Sequence, residues 1–325
     1  MQNITSKEDQ NSQLHFIIGF PRSGTKLLRE LLKTKDQIDV NSFESNFLIH
    51  KKIKREYFNI IEIDGLINLI KAQTIIVNNP ALKEDLQNFK KKLKEDSFPI
   101  RIESIYHKIF NPYGVEIFLD KSPRYSTRVD QLSRIFPESK YIFICRDVRD
   151  VVLSTSKTWG KSYYRTADQW DKTIFNVLNT QSYKNNKVLI VKYEDLLDNA
   201  QFEIKKVLKF LGKNSNQISS LQIERAESKE SYGEAANMRG IKKNNKEKFY
   251  SIKPKELTKI EKISFRSMSL LGYKIVYAQE HVPLKRTSRI FFKIQDELNL
   301  ILFHIKDKGP WKGIRYYIKL KNIFQ

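Results

Sequence analysis

The chain has 325 residues, of which 40% are hydrophobic and 12% aromatic, and its formal net charge is +22. This composition supports a packed core and excludes a disordered chain, and the length fits one large α/β domain or two smaller ones. The lysines are scattered and no helix-plus-basic-patch motif occurs, so we expect no nucleic-acid partner. Two explanations of this net charge remain open: a positive field that steers anionic ligands, or a bias of composition without functional meaning.

The single cysteine, Cys145, excludes a disulfide framework and fits a reducing compartment. Residues 1–13 are polar and lack an apolar signal region, so no signal peptide is predicted. No apolar run approaches the roughly 20 residues of a membrane span. We therefore expect a cytoplasmic protein, with peripheral attachment to the inner membrane face as an added option.

Residues 16–26 read FIIGFPRSGTK. Three apolar residues predict a short buried strand, a glycine-containing loop follows, and leucines at helical spacing then begin a helix. Such a turn directs backbone N–H groups and the positive end of the helix dipole at one point. Arg22, Ser23, Thr25 and Lys26 add side-chain donors of the kind that hold phosphate or sulfate oxygens. The stretch therefore predicts an anion site.

The residue order around the lysine narrows the choice of anion. The order is Gly24-Thr25-Lys26-Leu27, whereas the nucleoside-triphosphate loop places the Mg²⁺-binding hydroxyl directly after its lysine. This departure argues against an ordinary kinase or ATPase. The stretch from Gly19 to Thr25 resembles the 5′-phosphosulfate loop of sulfotransferases that use 3′-phosphoadenosine 5′-phosphosulfate (PAPS). The resemblance implies that Arg22, Ser23, Gly24, Thr25 and Lys26 bind this donor; any glycine-rich strand-to-helix turn is the alternative.

Further along, residues 37–40 predict a second short strand. The stretch from about 47 to 110 is helical in pattern and predicts an insertion over the sheet that provides an acceptor pocket. Three more strands are predicted at 115–119, 141–145 and 188–191. Helices are predicted at 129–136, 147–159 and 167–183. This alternation predicts an α/β fold with a central parallel sheet flanked by helices, P-loop-like, with ligands at the carboxyl ends of the strands.

Beyond residue 201 the chain is mostly helical and polar, with no strand predicted. A helix is predicted at 254–271 with Gly272 as its cap. The segment 281–325 holds ten Lys/Arg against three Asp/Glu, a net of +7. Two interpretations remain open: a helix that closes over the core with its charged face in water, or a surface that docks on acidic lipid or polysaccharide. We expect a catalytic domain at 14–275 and a basic helical extension at 276–325.

Arg146 directly follows a predicted strand, and Ser154 lies eight residues later in the next helix. Two such side chains can hold one phosphate from two sides. In the sulfotransferase family an arginine and a serine at this spacing bind the 3′-phosphate of PAPS, so the resemblance assigns that role to Arg146 and Ser154. The alternative is a surface arginine and a helix serine that share no ligand.

The stretch Asp120-Lys121-Ser122-Pro123 also follows a strand. It resembles a stretch of tyrosylprotein and carbohydrate sulfotransferases in which the lysine approaches the sulfuryl group, which implies a catalytic role for Lys121. Alternatively, Asp120 corresponds to the Mg²⁺-binding aspartate that ends a strand in P-loop kinases. That possibility keeps an Mg²⁺-ATP-dependent kinase open.

Two further segments resemble the family. Tyr193 stands where the family places a tyrosine near the adenine ring, although a simple strand-to-helix cap explains it equally. Arg239 and Gly240 resemble the loop that closes over the 3′-phosphate in cytosolic sulfotransferases, shortened by one residue. Lys242, Lys243 or Lys246 can supply the same contact.

The function implied is transfer of a sulfuryl group from PAPS to a hydroxyl or amine of a carbohydrate or other small acceptor, without a metal ion. Arg22, Lys26 and Lys121 are the candidate cations at the leaving phosphate. Glu44 follows the second predicted strand, where tyrosylprotein sulfotransferases place a catalytic glutamate, so the resemblance implies that Glu44 is the base. This role needs its pKa raised by burial; a surface carboxylate is the alternative. His50 and His107 also lie near the predicted pocket. A non-catalytic protein associated with membrane or polysaccharide is the third hypothesis, beside the kinase.

Overall fold

The computed structural model describes residues 12–33, 38–41, 44–46, 48, 57–58, 62, 65, 67–68, 100–110, 115–213, 226–227, 237–238, 241 and 244–324. Most of the predicted insertion at 47–110 lies outside these residues, as do Arg239, Gly240, Lys242, Lys243 and His50. The insertion was predicted to be helical, but its described part also contains a short antiparallel strand pair.

The strands are β1 (Gln13–Gly19), β2 (Ile38–Val40), β3 (Tyr57–Phe58), β4 (Ile100–Arg101), β5 (Ile117–Lys121), β6 (Tyr141–Cys145), β7 (Val188–Lys192), β8 (Ala226–Glu227) and β9 (Asn237–Met238). Five of them form one parallel sheet in the order β2-β5-β1-β6-β7. Strands β5 and β2 lie on one side of β1, and strands β6 and β7 lie on the other. The loops after β1 and β6 therefore lie side by side at the switch point, where ligands bind in such sheets.

The helices are α1 (Thr25–Leu32), α2 (Ile102–Phe110), α3 (Val129–Ile135), α4 (Val148–Trp159), α5 (Tyr163–Leu178), α6 (Gln181–Lys184), α7 (Tyr193–Asp198), α8 (Ala200–Leu211), α9 (Pro254–Leu270), α10 (Arg286–Lys308) and α11 (Pro310–Phe324). Short 3₁₀ segments occupy Pro123–Thr127 and Lys248–Ser251. The α/β fold with a parallel sheet is thus confirmed.

Three local predictions were wrong. The strand predicted at 115–119 lies two residues later, which brings Lys121 to the end of β5. The helix predicted at 167–183 is divided, because the Thr180 side chain accepts a hydrogen bond from the N–H of Tyr183 and starts α6 afresh. The absence of strands beyond residue 201 is also wrong, since β8 and β9 pair there. These two strands have only two residues each, too few for a visible alternation.

Each face of the sheet carries its own apolar core. Phe16 and Ile18 of β1 point into the core that includes α3, α4, α5 and α9. Ile17, between them, points into the core formed with α1, α7 and α8. The Phe16 ring stacks on that of Tyr141 in the neighbouring strand, with ring centroids 5.4 Å apart. Burial on both faces explains why β1 and β6 read as continuous apolar runs.

The helices α10 and α11 form a helical pair, which we call the C-terminal hairpin. It is attached to the corner between α4 and α5 by polar groups. Asp296 accepts a hydrogen bond from the N–H of Ser162 at 2.7 Å and pairs with Arg165 at 2.7 Å. The Asn299 amide donates to the carbonyl of Gly160 at 2.6 Å. The helices were predicted; their polar contact with the body was not. No helix in the described ranges is long and apolar enough to cross a membrane.

Candidate active site

The loop between β1 and α1 has an unusual backbone. Arg22 and Gly24 have φ angles of 72° and 96°, in the left-handed region that favours glycine. A β-carbon on Gly24 would lie 2.2 Å from a ring carbon of Tyr193. The glycine therefore allows both the turn into α1 and the close approach of the tyrosine ring. Within the described ranges, no side chain caps the N-terminus of α1.

We expect Gly24→Ala to lower the free energy of unfolding by about 1–3 kcal/mol, since it adds both backbone strain and a clash. Gly212→Ala is the matched control, because Gly212 has φ 91° but no described atom within 4 Å of the place where a β-carbon would stand. Urea denaturation of both variants separates strain from clash. Equal losses for the two variants would contradict the importance of the Tyr193 contact.

Ser23 and Lys26 place buried polar groups in this loop. The Ser23 hydroxyl is buried and has no hydrogen-bond partner among the described residues. Lys26 is only 9% exposed, and burial lowers the pKa of its ammonium group, with the charges of Arg29 and Lys121 acting in the same direction. Burying polar and charged groups is costly unless a partner compensates. An anion in this loop would supply the missing partner of the Ser23 hydroxyl and would be attracted by the Lys26 ammonium group.

The two predicted anion-binding stretches are in direct contact. Asp147 caps the N-terminus of α4, directly after β6. The Arg22 guanidinium donates from Nε to the Ser154 hydroxyl at 3.0 Å and lies 5.5 Å from the ring centroid of Trp159. The loop after β1 and the helix after β6 therefore form one site. Trp159 was not predicted, and an isolated tryptophan near a helix end gives no sequence signal of such a role.

Arg146 directly follows β6 and contacts Tyr193, which directly follows β7. Its guanidinium lies 4.6 Å from the ring centroid of Tyr193, contacts Asp150 at 3.2 Å and donates to the backbone carbonyl of Asn245 at 2.9 Å. Its Nε is buried and has no hydrogen-bond partner in the part of the chain that the structure describes. A cationic donor with one unused N–H is suited to a phosphate oxygen.

Tyr193 joins the loops of three strands. Its ring lies against Gly24 and Arg146, and its hydroxyl accepts a hydrogen bond from the Asn245 amide at 2.7 Å. Burial raises the pKa of this hydroxyl, so it stays protonated. Asn245 is a residue that the sequence did not reveal, because it stands in a polar Lys/Asn stretch. The alternative Lys246 instead pairs with Asp198 at 2.5 Å.

Glu44 and Lys121 form an ion pair at the end of β5, with Nζ and Oε1 3.0 Å apart. Burial acts to raise the pKa of Glu44, but Lys121, Arg124 and the Asn46 amide outweigh it and hold the pKa below 4.5. The expectation of a raised pKa was wrong. The carboxylate is 36% exposed and ionised at neutral pH. Nothing is described for the side chain of His107.

Asp120 is fully buried and both its oxygens accept hydrogen bonds. Oδ1 accepts from the amide of Asn41 at 2.8 Å and the hydroxyl of Ser122 at 2.6 Å, and Oδ2 accepts from the hydroxyls of Ser45 and Tyr106. Burial raises the pKa of this carboxyl. The network fixes the ends of β2 and β5, which fits a structural role better than a Mg²⁺ ligand. Among the described residues no group of three or more His, Cys, Asp or Glu is arranged to hold a metal ion.

Two solved sulfotransferase domains have a similar architecture. The sulfotransferase domain of the Synechococcus PCC 7002 olefin synthase superimposes with a TM-score of 0.56 at 19% identity, covering 82% of this chain and 97% of that domain. The sulfotransferase domain from the curacin biosynthetic pathway gives 0.51 at 20% identity, covering 82% and 99%. These likenesses define the α/β sulfotransferase fold.

The sequence leads to the same class. The model of the sulfotransferase family matches residues 15–216, which include most of β1, the loop after it, and the Arg146–Ser154 stretch. The chain therefore belongs to the sulfotransferase family. Among curated proteins, none matches the chain significantly.

Proposed function

We propose that this transferase moves a sulfuryl group from PAPS to an acceptor hydroxyl or amine. The observation that carries the proposal is the 3.0 Å hydrogen bond between Arg22 and Ser154. It joins a loop suited to the 5′-phosphosulfate with a helix suited to the 3′-phosphate, so one adenosine-based donor spans both. If the loop after β1 and the helix after β6 lay on opposite sides of the sheet, one donor would not reach both.

The residues present fit this donor. The buried Ser23 hydroxyl and the Arg146 Nε have no partner in the described ranges, and both are hydrogen-bond donors that accommodate phosphate or sulfate oxygens. We assign Ser23, Gly24, Thr25 and Lys26 to the phosphosulfate. Arg146 and Ser154 are assigned to the 3′-phosphate, with Tyr193 beside the base. Arg239 and Gly240 keep their proposed role in closing over the 3′-phosphate.

In the proposed reaction the acceptor oxygen or nitrogen forms a bond to sulfur while the bond from sulfur to the bridging phosphate oxygen breaks. The electron pair of that bond leaves with adenosine 3′,5′-bisphosphate. Arg22, Lys26 and Lys121 stabilise the charge that develops on the leaving phosphate, as cations do in the analogous phosphoryl transfers. Glu44 takes the acceptor proton. Its low pKa makes Glu44 a weak base, but the carboxylate is ionised at neutral pH and so can accept the proton.

We propose a small molecule or glycan as acceptor and a catalytic unit at 14–275. Donor-side residues reach Asn245, so this unit extends beyond the family match. A screen of sugars, phenols, amines and lipids with labelled PAPS identifies the class. The kinase hypothesis gains no support from Asp120, whose oxygens already accept four hydrogen bonds.

Adenosine 3′,5′-bisphosphate is expected to stabilise the protein. At 100 times its dissociation constant it should add about 2.7 kcal/mol to the free energy of unfolding, because it binds only the folded state. Thermal denaturation with and without the bisphosphate measures this. Mg²⁺-ATP is the comparison ligand, and a chelator should leave sulfuryl transfer unchanged. Stabilisation by Mg²⁺-ATP alone would contradict the proposal.

A further inference from the structure

The helix α10 has two opposite faces. Asp296 and Asn299 attach one face to the body, and the Phe292 ring packs on Tyr164 beside them, with centroids 5.5 Å apart. The other face is apolar and exposed, and we call it the apolar stripe. Its members are Ile290, Phe291, Ile294, Leu298 and Leu302, each more than half exposed.

The apolar stripe is continuous. Its members recur mostly at four-residue spacing, and at 100° per residue they fall within an arc of roughly 120°, whose centre is opposite Asp296. In soluble monomers, large apolar side chains exposed in one row mark an interaction surface. On α11, Trp311 and Ile318 are 79% and 51% exposed. The hairpin lies outside the matched region 15–216, so the family resemblance assigns it no role.

Positive charge borders the stripe. Arg286 and Lys293 lie on one flank of α10 and Lys306 lies on the other, all exposed. The nearby acids are already paired, Glu297 with Lys321 at 3.0 Å and Asp307 with Lys308 at 3.1 Å. An apolar strip between rows of cations is the pattern of helices that lie in the plane of a membrane interface.

We propose that the C-terminal hairpin docks on a bilayer surface of anionic phospholipid. The apolar stripe enters the boundary between headgroups and acyl chains, and the flanking cations contact the headgroup phosphates. Polysaccharide would use the cations but leave the stripe in water. A second copy would bring together two segments of net charge +7 each, residues 281–325 of both chains. Charge complementarity therefore selects the anionic lipid surface.

The test is sedimentation of the full chain with vesicles. We expect binding to phosphatidylcholine vesicles that contain phosphatidylglycerol to be at least about tenfold tighter than to phosphatidylcholine alone, because each cation near an anionic surface adds to the binding free energy. Binding should weaken as salt is added, because salt screens these charges. The charge-reversed Lys293→Glu should weaken binding about fivefold or more. Lys184→Glu, at an exposed lysine of α6, is the matched control and should bind like the unmodified chain.

A second pair of variants tests the stripe. Ile294→Asn with Leu298→Asn should reduce vesicle binding at least about tenfold, since both side chains lose their apolar contact with lipid. Phe202→Asn on α8 is the control, because Phe202 is 61% exposed and distant in sequence from the hairpin. Circular dichroism checks that each variant is folded.

Three results would overturn the inference. One is equal binding to both kinds of vesicle. Another is unchanged binding by the stripe variant. The third is a dimer in light scattering that the stripe variant abolishes, which would make a second copy the occupant of the surface. None of these results bears on donor binding, which the bisphosphate experiment measures separately.

Discussion

Arg146→Ala is expected to weaken the binding of adenosine 3′,5′-bisphosphate by about 2–5 kcal/mol, roughly 30-fold or more. The guanidinium is buried, lies over the Tyr193 ring and carries an Nε that has no partner among the residues described. Its removal would leave a bound phosphate without its main cation. Isothermal titration calorimetry measures the loss. Since Asp150 also loses its ion-pair partner, a fall in unfolding temperature is expected as well.

Ser154→Ala keeps the charges and therefore tests the site without that disturbance. It should cost about 1.5–3 kcal/mol of bisphosphate affinity, the range for a hydrogen bond to a charged group. Ser156→Ala, two residues along α4, is the matched control and should have no effect. The affinity of each variant for adenosine 5′-monophosphate, which lacks the 3′-phosphate, is compared with its affinity for the bisphosphate. If Arg146→Ala weakened both nucleotides equally, the assignment of Arg146 to the 3′-phosphate would be refuted.

Glu44→Gln is expected to lower turnover about 100-fold while bisphosphate affinity stays near normal. Loss of a general base costs on the order of 10²–10⁴ in rate, and the low pKa of Glu44 suggests the lower end. Rates are measured with labelled PAPS and the acceptor class that the screen identifies. Glu138→Gln, at an exposed carboxylate in the turn before β6, serves as control. Turnover that survives Glu44→Gln intact would exclude Glu44 as the base.

The pH dependence provides an independent check. Lys121 and Arg124 hold the pKa of Glu44 below 4.5, so kcat/KM should decline only as the pH falls through that lowered value. The ion pair likewise stabilises the fold above about pH 4.5 and loses this contribution as the pH falls through the folded-state pKa. The Lys121→Met variant lacks the positive charge that offsets the burial of the Glu44 carboxyl. The decline of kcat/KM on the acidic side should therefore move to higher pH.

Much of the fold was predictable because β1 and β6 are buried on both faces and read as continuous apolar runs. Local chemistry also marked the loop after β1, where Gly24 allows the turn. The family resemblance rested chiefly on this loop and on the Arg146–Ser154 stretch. What brings Arg22 to Ser154, however, is the strand order, which places the loops after β1 and β6 side by side. Local patterns alone do not specify that order.

Other features were beyond local patterns for physical reasons. Asn245 meets Arg146 and Tyr193 only through the tertiary fold, and its polar neighbours give it no signal. The direction of the Glu44 pKa depended on whether burial or the nearby cations dominate, and the cations do. On α10 the sequence showed mixed apolar and basic residues, but only the contacts of Asp296 reveal which face meets the body.

The hydrogen bond from Asn299 to the Gly160 carbonyl begins one residue past Trp159, whose ring contacts Arg22. The hairpin therefore supports the end of α4 that places the Trp159 ring beside Arg22. A fragment cut at residue 216, where the family match ends, would lose this support together with Asn245. Such a minimal fragment would keep Arg22, Arg146 and Ser154 but lose the contacts from Asn245 and the hairpin that hold their surroundings in place.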